Sequence, residues 1–126
     1  MNDGLLAGQR ILIVEDAYLL AKDLADHLQA RGARIVGPAG TVARALDLAG
    51  REPIDGAVLD VNLRDEDVYP VADLLIARGV PIVFCTGYEE LMLRPGYIGL
   101  PRCTKPVDKD ALAGLLSRVL GGRAPK

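Results

Sequence analysis

Short apolar runs alternate with helical patterns along this chain, and most runs stop at a charged or hydroxyl-bearing residue. Ile11-Leu12-Ile13-Val14 breaks off at Glu15-Asp16 and reads as a strand buried on both faces. From Ala17 to Arg31 the period changes: Leu20, Leu24 and Leu28, with Ala21 and Ala25, share one helical face. Asp16 stands where a cap belongs, and Gly32 follows as a stop. Arg34-Ile35-Val36 reads as a brief second strand. Thr41 opens a helix carrying Val42, Ala45, Leu46 and Ala49, which Gly50 ends.

The same alternation repeats in the second half. Gly56-Ala57-Val58-Leu59 is a buried strand running straight into Asp60, followed by a helix over about Asp67 to Ala77. Val68, Val71, Ala72, Leu75 and Ile76 form the apolar stripe of that helix. Ile82-Val83-Phe84-Cys85 is a fourth strand, ending at Thr86-Gly87. Pro95, Gly96, Gly99 and Pro101 break any long helix between Tyr88 and Pro101. A short polar strand over Arg102 to Thr104 precedes a last helix, capped by Asp108, with Leu112, Leu115, Leu116 and Val119 facing inward.

Strands alternating with helices imply parallel strands joined by right-handed crossovers, hence a doubly wound α/β domain. At 126 residues the chain makes one domain of ordinary size, and with half its residues apolar it buries a core without staples. Aromatics are only 4%, so that core is built from Leu, Ile, Val and Ala.

Charge and cysteine content narrow the function classes. Lys and Arg number 15 against 17 Asp and Glu, a net charge of −2 that gives no reason to expect nucleic acid or an anionic membrane as partner. No apolar run approaches the ~20 residues of a membrane span, and MNDGLLAGQR has no basic leader. A soluble cytoplasmic protein is expected. Cys85 and Cys103 read as small buried or half-buried thiols, and with the lone His27 they do not make up a zinc site. His27, in the first helix beside Leu28, lies away from the strand ends, and Tyr18 and Tyr97 read as packing or surface residues.

Folds of this class bind ligands at the carboxyl ends of their strands. Here those ends carry Glu15 and Asp16, Asp60, Thr86 and Lys105. With strand order 2-1-3-4-5, three carboxylates, a hydroxyl and an ammonium converge on one rim. Each residue alone is more often a cap or a solvated loop charge; the weight lies in their coincidence. Carboxylates so close repel unless one is protonated or a cation sits among them, and an oxygen-rich open site suits Mg²⁺.

On these residues the chain resembles the receiver domains of bacterial two-component response regulators, over about residues 9–121. The matching pieces are ILIVED at 11–16, AVLDVNL at 57–63, VFCTGY at 83–88 and TKP at 104–106. The resemblance implies one receiver domain over 1–126, of flavodoxin-like topology. It implies that Asp60 accepts a phosphoryl group from a kinase phosphohistidine. It further implies that Asp16 ligates Mg²⁺ directly, Glu15 through water, and Asn62 through its backbone carbonyl. Thr86 matches the switch hydroxyl and Lys105 the lysine that pairs with a phosphate oxygen, its bond to Pro106 being usually cis. Partners would be a sensor histidine kinase or phosphotransfer protein and a downstream protein target. Catalysis would extend only to the domain's own phosphorylation and dephosphorylation.

Departures from the family pattern are also legible. The acidic pair is Glu-Asp rather than Asp-Asp, and Arg102 stands where the family carries its aromatic switch. VFCTGY partly matches a subgroup with a Phe-Ala-Thr-Gly-hydrophobic-Tyr signature, with Cys85 for the Ala and Glu89 for the final Tyr. That subgroup has a loose or missing fourth helix, partners a distinct class of sensor kinases, and is frequent in alphaproteobacteria. The segment from Tyr88 to Pro101 would then be the mobile output element, with Tyr88 influencing phosphate lifetime. With only GGRAPK after Leu120, no output domain is expected within the sequence. Two other readings compete: a receiver-shaped docking module that is never phosphorylated, and an FMN protein of the same topology. The acidic loop after the first strand speaks against the second.

Overall fold

The computed structural model describes residues 4–63, 66–87 and 94–121. In chain order the elements are β1 (Arg10–Val14), α1 (Tyr18–Ala30), β2 (Arg34–Ala39), α2 (Val42–Arg51), β3 (Gly56–Asp60), β4 (Asn62–Leu63) and β5 (Glu66–Asp67). They continue with α3 (Tyr69–Ala77), β6 (Ile82–Thr86), a 3₁₀ turn (Pro95–Tyr97), β7 (Arg102–Thr104) and α4 (Lys109–Gly121). The main sheet has five parallel strands in the order β2-β1-β3-β6-β7, which is the expected 2-1-3-4-5 order once the small β4-β5 ribbon is set aside.

Alternation along the strands feeds two separate cores. Leu12, Val14, Ala57, Leu59, Ile82 and Phe84 pack against α2 and α3. Ile11, Ile13, Val58, Val83 and Cys85 pack against α1 and α4. This is why the apolar runs of β1, β3 and β6 carry no polar alternation: both faces of these strands are covered. Leu6, ahead of β1, also enters the second core, held by its N–H on the Arg31 carbonyl at 2.8 Å.

Several sequence expectations are corrected. Asp16 does not cap α1; the cap position is Ala17, whose N–H is taken by Glu15 Oε2 at 3.0 Å. Leu20 lies 58% exposed rather than in the core, and Ile76 is also exposed. β2 continues to Ala39 because Gly37, at φ +94°, lets the strand shift register against β1 between Leu12 and Val14. The third helix starts at Tyr69, not Asp67, since Glu66–Asp67 pairs antiparallel with Asn62–Leu63 and the Asp67 carboxylate accepts the Tyr69 N–H at 3.2 Å. α2 runs one residue past Gly50 to Arg51. Thr41 and Asp108 do cap α2 and α4, accepting from Arg44 N and Ala111 N.

Between β6 and β7 the described residues form only the 3₁₀ turn, in keeping with the expected irregular fourth helix. Tyr88 and Glu89 lie outside the described residues. Among the described residues no helix is long and apolar enough to cross a membrane.

Candidate functional site

Parallel strands in a staggered order bring Glu15 and Asp16, Asp60, Thr86 and Lys105 to one edge of the sheet, because each follows or ends β1, β3, β6 or β7. One carboxylate oxygen from each of Glu15, Asp16 and Asp60 lies within 4.8 Å of the others. Lys105 Nζ donates to Asp60 Oδ2 at 2.9 Å and sits 3.7 Å from Glu15 Oε1. The other Asp60 oxygen, Oδ1, accepts the Asn62 backbone N–H at 3.1 Å. Asp60 is 2% exposed, and a buried carboxylate is costly without such hydrogen-bond partners. The Lys105-Pro106 peptide is cis.

Thr86 Oγ1 is buried and has no hydrogen-bond partner among the described residues, an arrangement that costs about 1–3 kcal/mol. Beside it three carboxylates gather around the ammonium of Lys105. The donor set is hard oxygen, one carboxylate from each of Glu15, Asp16 and Asp60, which fits a hard divalent cation.

Burial pushes the Glu15 carboxyl up to about 7, helped by the charge of Asp60 and a hydrogen bond to it, while the Ala17 N–H and Lys105 oppose the rise. Burial pushes the Lys105 ammonium down, but its hydrogen bond to Asp60 and the charges of Asp60 and Glu15 outweigh this and leave it above its ordinary value. Burial pushes the Cys85 thiol up to about 12, which leaves it protonated and inert at neutral pH.

The Glu15 shift has a consequence for stability. The folded chain keeps that proton up to about pH 7, whereas the unfolded chain releases it near 4.5. Between those values the unfolded state binds fewer protons, so stability falls as pH rises and levels off above 7. The expected fall without metal is of the order of 3 kcal/mol. Urea unfolding in EDTA at pH 5 and pH 8, on wild type and Glu15→Gln, checks this. Equal slopes in the two proteins would refute it.

Comparison with known proteins agrees with this geometry. No family model matches the chain. It is 36% identical over 118 residues to the phyllosphere-induced regulator PhyR of Methylorubrum extorquens, covering 87% of this chain and 43% of PhyR. The solution structure of SdrG from Sphingomonas melonis superposes with TM-score 0.78 at 40% identity, over 89% of this chain and 95% of that one. The receiver domain of the sensor histidine kinase PA1611 from Pseudomonas aeruginosa superposes with TM-score 0.78 at 27% identity, over 92% and 100% of the two chains. That structure carries a magnesium ion coordinated in its active site cleft.

The chain belongs to the response regulator receiver family. It spans less than half the length of the curated relatives it matches. As a receiver it is a signalling module of two-component systems, a class that interacts with histidine kinases and downstream targets. Its acidic cluster can bind a metal ion.

The structure gathers Glu15, Asp16, Asp60, Asn62 and Lys105 at one place, with Thr86 at the end of the adjoining strand. His27 stays away from it, 3.2 Å from Asp110 on α4. Sequence reasoning missed Glu66: its Oε1 accepts the Val42 N–H at 3.1 Å, fastening the loop after Asp60 onto the start of α2. No sequence signal marks that contact, since the two residues lie 24 apart and belong to different elements. The Asn62 N–H on Asp60 was equally hidden, because backbone donors leave no trace in residue type.

Proposed function

We propose that this receiver takes a phosphoryl group onto Asp60 from the phosphohistidine of a sensor histidine kinase or phosphotransfer protein, in a Mg²⁺-dependent reaction. The observation that carries the reading is the buried Asp60 carboxylate held by Lys105 on one oxygen and the Asn62 N–H on the other. An Asp60 oxygen attacks phosphorus in line; the P–O bond forms as the P–N bond breaks, and the ring nitrogen takes the bonding pair, leaving as neutral imidazole because the other ring nitrogen of the phosphohistidine already carries a proton. Such transfer asks for positioning and charge neutralisation more than covalent chemistry. Lys105 meets charge on the phosphoryl oxygens. Asp16 and Asp60, Glu15 through water, and the Asn62 carbonyl would hold Mg²⁺, which supplies further neutralisation of those oxygens when bound. Thr86 then has its missing partner, a phosphoryl oxygen to which its hydroxyl donates.

The phosphodonor's approach is also suggested. A cleft of about 270 Å³ opens beside Asp60 and Lys105, floored by Leu24, Val58 and Val107. Tyr18 and Leu19, 75% and 77% exposed, stand at the start of α1 beside the site and offer apolar contact to a helical donor. Signalling then proceeds by protein–protein interaction.

Intact mass after incubation with a small phosphoramidate tests the reading. One phosphoryl group per chain is expected with Mg²⁺, and a rate at least ~10²-fold lower in EDTA. No gain from the small donor or from a kinase would return the chain to a docking module.

A further inference from the structure

The backbone of Asn62 has two duties at the site. Its N–H holds Asp60 Oδ1 at 3.1 Å, and its carbonyl is one of the proposed ligands of Mg²⁺. Both depend on where the chain runs just past β3, at a residue that is itself exposed. Exposed turns of chain are the parts of a fold that open most readily. This one is held from within and from both sides. Leu63, 1% exposed, is sunk in the core that the sheet shares with α2 and α3. Asn62 and Leu63 pair antiparallel with Asp67 and Glu66, and each residue of that returning strand is pinned in turn.

Asp67 is held from α3, where its Oδ1 accepts the Tyr69 N–H at 3.2 Å, and its Oδ2 pairs with Arg94. Glu66 is held from α2. Its Oε1 accepts the Val42 N–H at 3.1 Å, and Val42 is the first residue of that helix, after the Thr41 cap. An N–H at that position has no partner within its own helix, and the positive end of the helix favours a carboxylate. Thr41 Oγ1 takes the Arg44 N–H, so the cap and Glu66 serve different donors. Glu66 is not one of the three carboxylates that gather at the site. Its link to Asn62 runs through the ribbon.

We propose that Glu66 is a positioning residue for metal binding: by tying the β4-β5 ribbon to the start of α2, it holds the Asn62 carbonyl ready for the cation. A ligand already held in place loses less freedom when the ion arrives, so the ion binds more tightly. This rests on the phosphoacceptor reading above and names a residue that sets the metal affinity of that site without touching the metal.

Two variants break the same bond from opposite sides. Glu66→Ala removes the acceptor. Val42→Pro removes the donor at a first helical position, where proline is well accommodated, and Thr41, at φ −136° and ψ 158°, already has the backbone that precedes a proline. Each is expected to weaken Mg²⁺ binding about fivefold, read by NMR titration of the amides around Asp60. Each is also expected to speed exchange of the Asn62 amide in EDTA by about the same factor. The double variant is expected to lose no more than either single one. Glu66→Gln keeps an oxygen for the Val42 N–H and should bind Mg²⁺ like wild type. A Gln variant as weak as the Ala variant would mean that the charge of Glu66 acts on the ion from a distance, and would overturn the positioning role. Wild-type affinity, or unchanged Asn62 exchange, in both Glu66→Ala and Val42→Pro overturns the inference and leaves the receiver reading intact. No Mg²⁺ response around Asp60 in wild type overturns both.

Discussion

Asp60→Asn is expected to abolish phosphoryl gain, by at least ~10³-fold in rate, while leaving the fold intact. An amide oxygen is no match for a carboxylate as nucleophile, and no other buried carboxylate occupies the same position. The fold survives because the replacement has nearly the same shape and keeps an oxygen for one of the two donors that hold this residue, Lys105 Nζ on Oδ2 or the Asn62 N–H on Oδ1. Its new amide nitrogen faces a site that already contains the Glu15 carboxylate as acceptor. The measurement is intact mass after phosphoramidate and Mg²⁺, paired with a thermal melt. A variant that still gains one phosphoryl group would remove Asp60 as acceptor; one that is unfolded would show that the amide cannot replace the charge structurally.

Lys105→Met should cost both stability and rate. The lysine is the one cation within reach of Asp60 and Glu15 among the described residues, at 2.9 and 3.7 Å. Removing it leaves two little-exposed carboxylates facing each other, 2% and 11% exposed. Stripping one partner from a buried pair costs more than the pair contributes, because the orphaned charge remains. We expect a loss of about 2–3 kcal/mol at pH 8 in EDTA. Below pH 7 the loss shrinks as Glu15 takes up a proton, and added Mg²⁺ reduces it by supplying the missing positive charge. The phosphorylation rate should fall ~10²–10³-fold, the usual consequence of deleting one preorganised charge at a developing oxyanion. Urea unfolding at two pH values, with and without Mg²⁺, reads the first effect and timed mass spectra the second. Unchanged stability at pH 8 would mean that the carboxylates are already neutralised in another way.

What was legible in the sequence follows from how each contact is made. The sheet strands stood out because strands covered on both faces need unbroken apolar runs, and Ile11–Val14 and Ile82–Cys85 supply them. Their ends were legible for the same reason: a charge such as Asp60 marks the residue where cover stops. The β4-β5 ribbon was not legible, since two-residue strands have no periodicity and Glu66–Asp67 reads as a helical start. The apolar stripe of α1 was overextended at Leu20, which shares its helical face with Leu24 but lies beyond the edge of the sheet's cover. Contacts between distant segments were hidden altogether. Glu66 on the Val42 N–H, and Tyr97 against Tyr69 and Phe84, depend on how loops fold back, and residue type alone carries no such instruction.

The reactive groups come from positions scattered along the chain, with Lys105 reaching Asp60 across 45 residues and Glu15 arriving from the first strand. No fragment of the protein holds the constellation, and no partly folded copy does either, because the edge where the groups meet exists only once β1, β3, β6 and β7 have all docked. Competence and completion of folding are therefore one event. A half-made or heat-damaged molecule would be silent rather than erratic, because it would not present the site at all.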